Sequence, residues 1–125
     1  MDGTETLLLV DDEDLIRQLA RDILKGKGYT VFEASHGKEA LDIFTEKKDT
    51  IDLIIMDLMM PVMDGKKTFE KMKQIKSDVK VIFATGFTEE GESEEMIAGG
   101  AIAVIEKPYR VEKLADIIRS ILAPA

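Results

Sequence analysis

The sequence predicts an α/β fold in which a five-stranded parallel sheet carries helices on both faces. Five short apolar runs alternate with five longer amphipathic stretches along the chain, and this alternation is typical of repeated βα units. Three of the runs are almost entirely hydrophobic, as expected for strands that are covered on both faces.

The five apolar runs are the predicted strands. They are Thr6–Val10, Thr30–Ala34, Asp52–Met56, Lys80–Thr85 and Ala103–Glu106. The second run, TVFEA, alternates apolar and polar residues, so we place it at an edge of the sheet. Right-handed crossovers restrict the topology, and we predict the flavodoxin-like strand order 2-1-3-4-5.

Helices are predicted between the strands, where apolar residues recur every three or four positions. Their stripes are Leu15–Leu24, Ala40–Phe44, Phe69–Ile75, Met96–Ile97 and Leu114–Leu122. Glycines at 26–28 and 99–100 are expected to end the first and fourth helices. His36 enters the second helix, where we expect a turn or capping role.

Length and composition limit the function classes. The 125 residues suggest one domain, spanning residues 1–125. Cysteine is absent, which excludes disulfides and thiolate metal sites. The net charge of -8 disfavours direct binding to nucleic acid. Because the chain has neither a membrane-length apolar run nor a secretory signal pattern, we expect a cytoplasmic protein without membrane contact.

Polar side chains stand at the carboxyl ends of four predicted strands. They are Asp11 and Asp12 after the first strand, Asp57 after the third, Thr85 on the fourth and Lys107 after the fifth. The carboxyl ends of parallel strands share one edge of the sheet, where ligands bind in such folds. We therefore expect these side chains to form one site.

The chemistry of this set indicates phosphoryl transfer to an aspartate. Carboxylates that share a pocket raise one another's pKa unless a cation intervenes, and oxygen ligands suit Mg²⁺. Asp11, Asp12 and Asp57 are the predicted metal ligands, joined by the Met59 carbonyl. Asp57 is the expected nucleophile because it ends an apolar, central strand, whereas the acidic pair enters a loop. A lysine neutralises charge on the transferring group.

Other interpretations remain open at this point. Asp11 and Asp12 could cap the first helix, and we expect Glu13 and Asp14 to do no more than that. The DED sequence at 12–14 also resembles the DxD of aspartate-nucleophile phosphatases, in which Asp12 would attack. A nucleotide or flavin module would need amide donors at a helix N-terminus, where this chain instead presents acidic residues.

The chain resembles the response-regulator receiver domains of two-component phosphorelays over nearly its whole length. The resemblance rests on LLLVDDE, DLIIMDLMMPVMDG, VIFATG and EKPY, in order and at suitable spacing. It implies that Asp57 accepts phosphate from a histidine kinase or a histidine phosphotransfer protein. It also implies that Asp12 is the more direct Mg²⁺ ligand of the acidic pair, and that the domain promotes only its own phosphorylation and dephosphorylation.

The resemblance assigns further roles. Thr85 would be the switch hydroxyl, Lys107 the phosphate partner, and the peptide before Pro108 would be cis. Val104 stands where receivers commonly carry Tyr or Phe, which puts the usual switch in question. Gly86 follows the switch threonine, at a position where receivers often carry Ala.

The same resemblance also has implications for how long the phosphate stays on Asp57 and for the loop that follows this residue. Met59 and Phe87 occupy the positions that tune dephosphorylation, and neither side chain positions an attacking water well. We therefore expect a long-lived aspartyl phosphate. Pro61 and Gly65 would shape the loop.

The sequence does not identify the kinase, the stimulus or the output. GTETLLLVDDE and ATGF resemble receivers attached to hybrid histidine kinases, so the chain is either such a piece or a stand-alone receiver. The oligomeric state is open, with a monomer favoured. The acidic run Glu89–Glu95 is either a solvated face or a docking face for a basic partner.

Overall fold

A computed structural model describes residues 4–60, 62–86 and 91–122 of the chain. Five strands and five helices alternate there: β1 (Thr6–Val10), α1 (Asp14–Gly26), β2 (Thr30–Ala34), α2 (Gly37–Lys47), β3 (Leu53–Asp57), α3 (Gly65–Ile75), β4 (Val81–Thr85), α4 (Glu92–Ala98), β5 (Ala103–Glu106) and α5 (Val111–Leu122). All strand pairs are parallel, in the order β2-β1-β3-β4-β5. The predicted topology is confirmed, with TVFEA at an edge.

Two apolar cores lie on opposite faces of the sheet. Leu8, Ile54 and Phe83 face helices α2, α3 and α4, whereas Leu7 and Ile55 face α1 and α5. The two cores divide β1 because successive side chains of a strand point to opposite faces. Every residue of β3 and β4 is buried. Each large aliphatic side chain buried there contributes roughly 1.5–3 kcal/mol, so these central strands are a rigid support for whatever stands at their ends.

Short-range interactions set the helix ends. Nδ1 of His36 accepts a hydrogen bond from the amide of Glu39 at 3.2 Å, which confirms the capping role of this histidine. Asp64 caps α3 in the same way. Gly28 and Gly100, with φ of 104° and 114°, take the left-handed conformation just after α1 and α4. Glycine adopts it at little cost, so the predicted breaks are confirmed.

Helix α1 buries only part of its apolar stripe. Ala20 and Leu24 are fully buried against the sheet. Leu15 and Leu19 are 84% and 59% exposed, and Ile16 is also exposed. The exposed residues lie in the first half of the helix, next to the acidic end of β1. An apolar patch at this position therefore borders the carboxyl edge of the sheet.

In the three described ranges, none of the helices has the length and hydrophobicity that crossing a bilayer requires.

Candidate functional site

Asp57 is the last residue of β3 and lies buried at the carboxyl edge of the sheet. Its strand is paired with β1 on one side and β4 on the other, where Asp57 is opposite Ala84. The Met59 amide donates a hydrogen bond to Oδ1 of Asp57 at 3.3 Å. The start of α3 packs closely here, since a Cβ on Gly65 would lie 2.7 Å from the Asp57 carbonyl oxygen. Gly65 is therefore needed where the loop returns to the strand.

Asp11 and Asp12 follow β1 beside this strand end. One carboxylate oxygen from each of Asp11, Asp12 and Asp57 lies within 4.8 Å of the others. Asp11 is buried, and its Oδ1 accepts a hydrogen bond from the Glu13 amide at 2.8 Å. Asp12 is exposed. Three converging oxygen donors, one of them open to solvent, fit a hard divalent cation such as Mg²⁺, which retains water ligands.

Lys107 enters the same cluster from the end of β5. Its Nζ lies 3.2 Å from Oδ2 of Asp11 and 3.3 Å from Oδ2 of Asp57. Its amide donates to the Thr85 carbonyl at 2.7 Å, which ties the lysine to the end of β4. The Lys107–Pro108 peptide is cis, as the sequence resemblance implied.

The structure corrects the expectation for Glu13. This residue is the N-cap of α1, but its side chain makes no capping hydrogen bond. Its Oε1 instead lies 3.1 Å from Nζ of Lys107. Asp14 pairs with Arg17 at 2.9 Å and not with the lysine. Glu13 is thus part of the site and not merely a residue at the start of the helix.

Thr85 lies at the end of β4, and Val104 lies on the neighbouring strand β5. Thr85 is fully buried at the end of β4. Val104 is half-buried on β5, opposite Phe83, and packs against the core that includes Phe83. At this position a β-branched aliphatic side chain fills part of the apolar interior, and it carries no group that could bond to a hydroxyl.

A cavity of about 450 Å³ opens next to Asp57. It is lined by Asp12, Glu13, Asp57, Met59, Gly86 and Lys107. Thr85 is not among the lining residues, although its neighbour Gly86 is. Among the described residues, no atom lies within 4 Å of the position that a Cβ on Gly86 would occupy. Within the part of the chain that the structure describes, the cavity thus leaves space for a small group next to Asp57.

The site carries more negative than positive charge. Burial raises the pKa of Asp57 to about 6, and the nearby Asp11 adds to this, while Lys107 lowers it. Burial lowers the pKa of Lys107, but the hydrogen bond with Glu13 and the charges of Asp11 and Asp57 outweigh it, so the pKa lies above the usual lysine value. One ammonium thus remains charged among several carboxylates, and the site is short of positive charge.

Arg17 is a supporting residue that the sequence analysis missed. Its Nη1 donates to the Asp11 carbonyl at 2.7 Å, and its Nε donates to Glu33 on β2 at 3.0 Å. Arg21 reaches the second carboxylate oxygen of Glu33 at 2.8 Å. Burial raises the pKa of Glu33, yet the two arginines overcome that effect and lower it. Spacing on α1 places both arginines on one side of the helix, but nothing in the sequence indicates Glu33 as their shared partner.

Several sequence expectations fall outside the described ranges. Pro61 in the loop after β3 and Phe87 after β4 are among these residues, as are Glu89 and Glu90 of the acidic run. The expectations for these four residues stay predictions.

The family described as "Response regulator receiver domain" matches residues 7–119. "Sensor kinase CckA" of Brucella abortus is 34% identical over 122 residues, which are 98% of this chain and 13% of that protein. "Sporulation initiation phosphotransferase F" of Bacillus subtilis is 33% identical over 118 residues, 94% of each chain. The chain therefore spans a small part of the first relative and nearly all of the second.

Solved structures show the same architecture. The response regulator protein TrrA from Thermotoga maritima, in complex with Mg(2+)-BeF, superposes with a TM-score of 0.82 at 28% identity. The match covers 94% of this chain and 99% of that one. These relatives give no support to the phosphatase interpretation of residues 12–14.

Proposed function

The chain belongs to the response regulator receiver domain family, which acts in two-component signal transduction, and we propose that Asp57 is its phosphoacceptor. One observation carries the assignment: the Asp57 carboxylate is buried at the end of a central strand, and Lys107 and the acidic pair converge on it. Asp12 is exposed at the rim of the cavity and lacks such a setting, so it suits a metal ligand better than a nucleophile.

The reaction begins with attack by a carboxylate oxygen of Asp57 on the phosphorus of a phosphohistidine. The P–O bond forms as the P–N bond breaks, and the imidazole nitrogen keeps the electron pair and takes up a proton. With a pKa of about 6, Asp57 is roughly nine-tenths ionised near pH 7. The nucleophile is therefore available at neutral pH, and most of the catalysis is positioning and charge neutralisation.

Mg²⁺ is the cofactor that we propose for this site, held by Asp11, Asp12, Asp57 and the backbone carbonyl of Met59. Bound there, it would neutralise the acidic cluster and the transferring oxygens. Asp11 is held by the Glu13 amide and by Lys107, so its position is set before a cation arrives. The exposed Asp12 can adjust to meet it.

Lys107 and Thr85 are proposed to bind the phosphoryl oxygens. The lysine already contacts Oδ2 of Asp57 at 3.3 Å, so a modest movement of its flexible side chain would reach a phosphoryl oxygen. Phosphorylation adds about -1.5 to -2 charge, which strengthens this attraction. The Thr85 hydroxyl would approach from the adjoining strand end. Movement of these two residues would alter the surface around α4 and β5.

The donor is proposed to dock on the apolar patch of α1, formed by Leu15, Ile16 and Leu19. A phosphohistidine must enter the cavity next to Asp57, so its carrier has to cover the surrounding rim. Exposed apolar side chains that border a functional cavity are typical of protein-binding surfaces. A histidine kinase or a histidine phosphotransfer protein with a complementary apolar surface around its histidine is the partner that fits.

Phosphorylation with a small-molecule phosphodonor tests the acceptor assignment. Incubation with acetyl phosphate and Mg²⁺, followed by intact-protein and peptide mass spectrometry, should show one phosphoryl group on Asp57. Asp57→Asn should abolish it, whereas Asp116→Asn, which removes an exposed carboxylate on α5, should not. Phosphorylation that persists in Asp57→Asn would overturn the assignment and would favour Asp12 as the nucleophile.

A further inference from the structure

Glu13 stands apart from the proposed metal ligands and yet shares their lysine. Its side chain is 54% exposed, lines the cavity and lies 3.1 Å from Nζ of Lys107. An acidic residue at an N-cap usually bonds to the amides of the first turn. Glu13 makes no such bond, so its carboxylate is committed to the lysine in this state.

The lysine ammonium has three hydrogens, and three carboxylates surround it: those of Asp11, Glu13 and Asp57. A phosphoryl oxygen can bind Lys107 only if one of these contacts is weakened. Asp11 is almost completely buried, and losing the lysine would leave its carboxylate poorly compensated. Glu13 is half-exposed, so water can replace the lysine at little cost. Of the two carboxylates that do not receive the phosphoryl group, Glu13 is therefore the one whose contact with Lys107 gives way.

Building on the function proposed above, we infer that Glu13 is a positioning residue that holds Lys107 before phosphorylation and competes with the incoming phosphoryl group for it. Glu13 slows acceptance of the phosphoryl group and lowers the affinity of the site for phosphoryl-like anions.

The effect of Glu13 on the rate of phosphorylation is expected to be small. Exposed ion pairs contribute about 0–1 kcal/mol, which corresponds to a factor of up to about five in an equilibrium constant. Glu13→Gln removes the charge and keeps the shape of the side chain, and Glu13→Ala removes the contact as well. We expect phosphorylation by acetyl phosphate, at saturating Mg²⁺, to be about two- to fivefold faster in both variants.

Asp14→Asn is the matched control. It removes one negative charge at the next position, but Asp14 pairs with Arg17 and not with Lys107. A rate for Asp14→Asn close to that of wild type, beside a faster Glu13→Gln, supports the inference. Equal acceleration by both variants would show a general charge effect and would overturn it, as would a rate for Glu13→Gln at or below the wild-type value.

A double variant tests whether Glu13 acts through Lys107. The readout is the affinity for beryllofluoride at saturating Mg²⁺, measured by calorimetry, because binding can be followed even where phosphorylation is slow. Glu13→Gln should tighten binding in the wild-type background and have no effect in the Lys107→Ala background. A gain that persists without Lys107 contradicts the inference. If wild-type protein neither binds beryllofluoride nor becomes phosphorylated, the proposed function itself fails.

Discussion

Nζ of Lys107 lies 3.3 Å from Oδ2 of Asp57, although 50 residues separate the two in the chain. The contact joins the end of β5 to the end of β3 across the end of β4. Burial raises the pKa of Asp57 to about 6, above its usual value of 3.8, and the contact with Lys107 offsets this only in part. A single lysine shared with Asp11 and Glu13 leaves an excess of negative charge, which a bound divalent cation would offset.

The burial of Asp57 predicts a pH-dependent cost to stability in the metal-free protein. Because folding raises the pKa of Asp57, the folded state binds more protons than the unfolded state between about pH 3.8 and 6. Stability contributed by this group therefore falls as pH rises through that window. Asp57→Asn should be more stable than wild type by about 1–3 kcal/mol near pH 7.5, and the difference should disappear near pH 4.

Urea unfolding in EDTA at several pH values measures this effect. Asp116→Asn serves as the control, since it removes an exposed carboxylate on α5 that is not one of the clustered carboxylates. A stability difference between Asp57→Asn and wild type that is the same at every pH would contradict the prediction.

The affinity of the protein for Mg²⁺ should depend more on Asp12 than on Asp14, the first residue of α1. Removing one of three converging carboxylates costs on the order of 1–4 kcal/mol of ion binding at these distances. Asp12→Asn should therefore weaken Mg²⁺ binding about tenfold or more by calorimetry, while Asp14→Asn should change it little. Similar affinities for these two variants would count against the proposed ligand set.

The patch on α1 should be needed by a protein donor and not by a small molecule. Ile16→Ser should slow phosphotransfer from a cognate histidine kinase or phosphotransfer protein by about tenfold, as is common for apolar residues central to an interface. Ile97→Ser on α4 is a matched control, because the two isoleucines are 41% and 46% exposed. Reactivity with acetyl phosphate should be unchanged in both. Equal losses with the protein donor would place docking elsewhere.

The lifetime of the phosphate provides a separate prediction. The Met59 side chain lines the cavity and is exposed, and its thioether is a poor hydrogen-bond partner for an attacking water. The aspartyl phosphate should therefore last well beyond seconds in the isolated domain. Met59→Asn, which adds a polar group at the rim, should shorten the half-life measured by loss of radiolabelled phosphate. A wild-type half-life of only seconds would refute the expectation.

The loop after β3 carries backbone strain at Val62, which has φ of 71° and an exposed side chain. A β-branched residue is rarely found in this left-handed region, and the conformation costs about 1–2 kcal/mol. Val62→Asn should raise the free energy of unfolding by about 1 kcal/mol in urea titrations. Gly91→Ala should lower it by a similar amount, because Gly91 has φ of 83°, a conformation that glycine adopts far more readily than alanine.

The sequence predicted the strand order and the meeting of Asp11, Asp12, Asp57 and Lys107 because parallel strands bring their carboxyl ends to one edge. This argument depends on topology and not on side-chain direction. It therefore missed the turn of Glu13 toward Lys107, which depends on the rotamer that a charged residue adopts at a helix start. Two strand boundaries also differ: β3 is shifted by one residue, so that Asp57 belongs to the strand, and β4 begins one residue later.

Helix α1 shows a second limit of sequence patterns. Periodicity identified the apolar residues from Leu15 to Leu24, but it did not show which of them the sheet covers. Ala20 and Leu24 are buried against the sheet, whereas Leu15 and Leu19 are exposed. The width of an apolar stripe alone does not separate residues that pack in the core from residues that a partner could cover.

Amide hydrogen exchange should be slow in β3 and much faster in α4. β3 is paired on both sides and wholly buried, so its amides should exchange only when the whole domain opens. Helix α4 has seven residues and buries only Met96 among them, so its amides should exchange through local opening. The residue proposed to receive the phosphoryl group is thus anchored to the slowest-exchanging part of the domain. Helix α4 can therefore open and close far faster than β3, without disturbing the strand that holds Asp57.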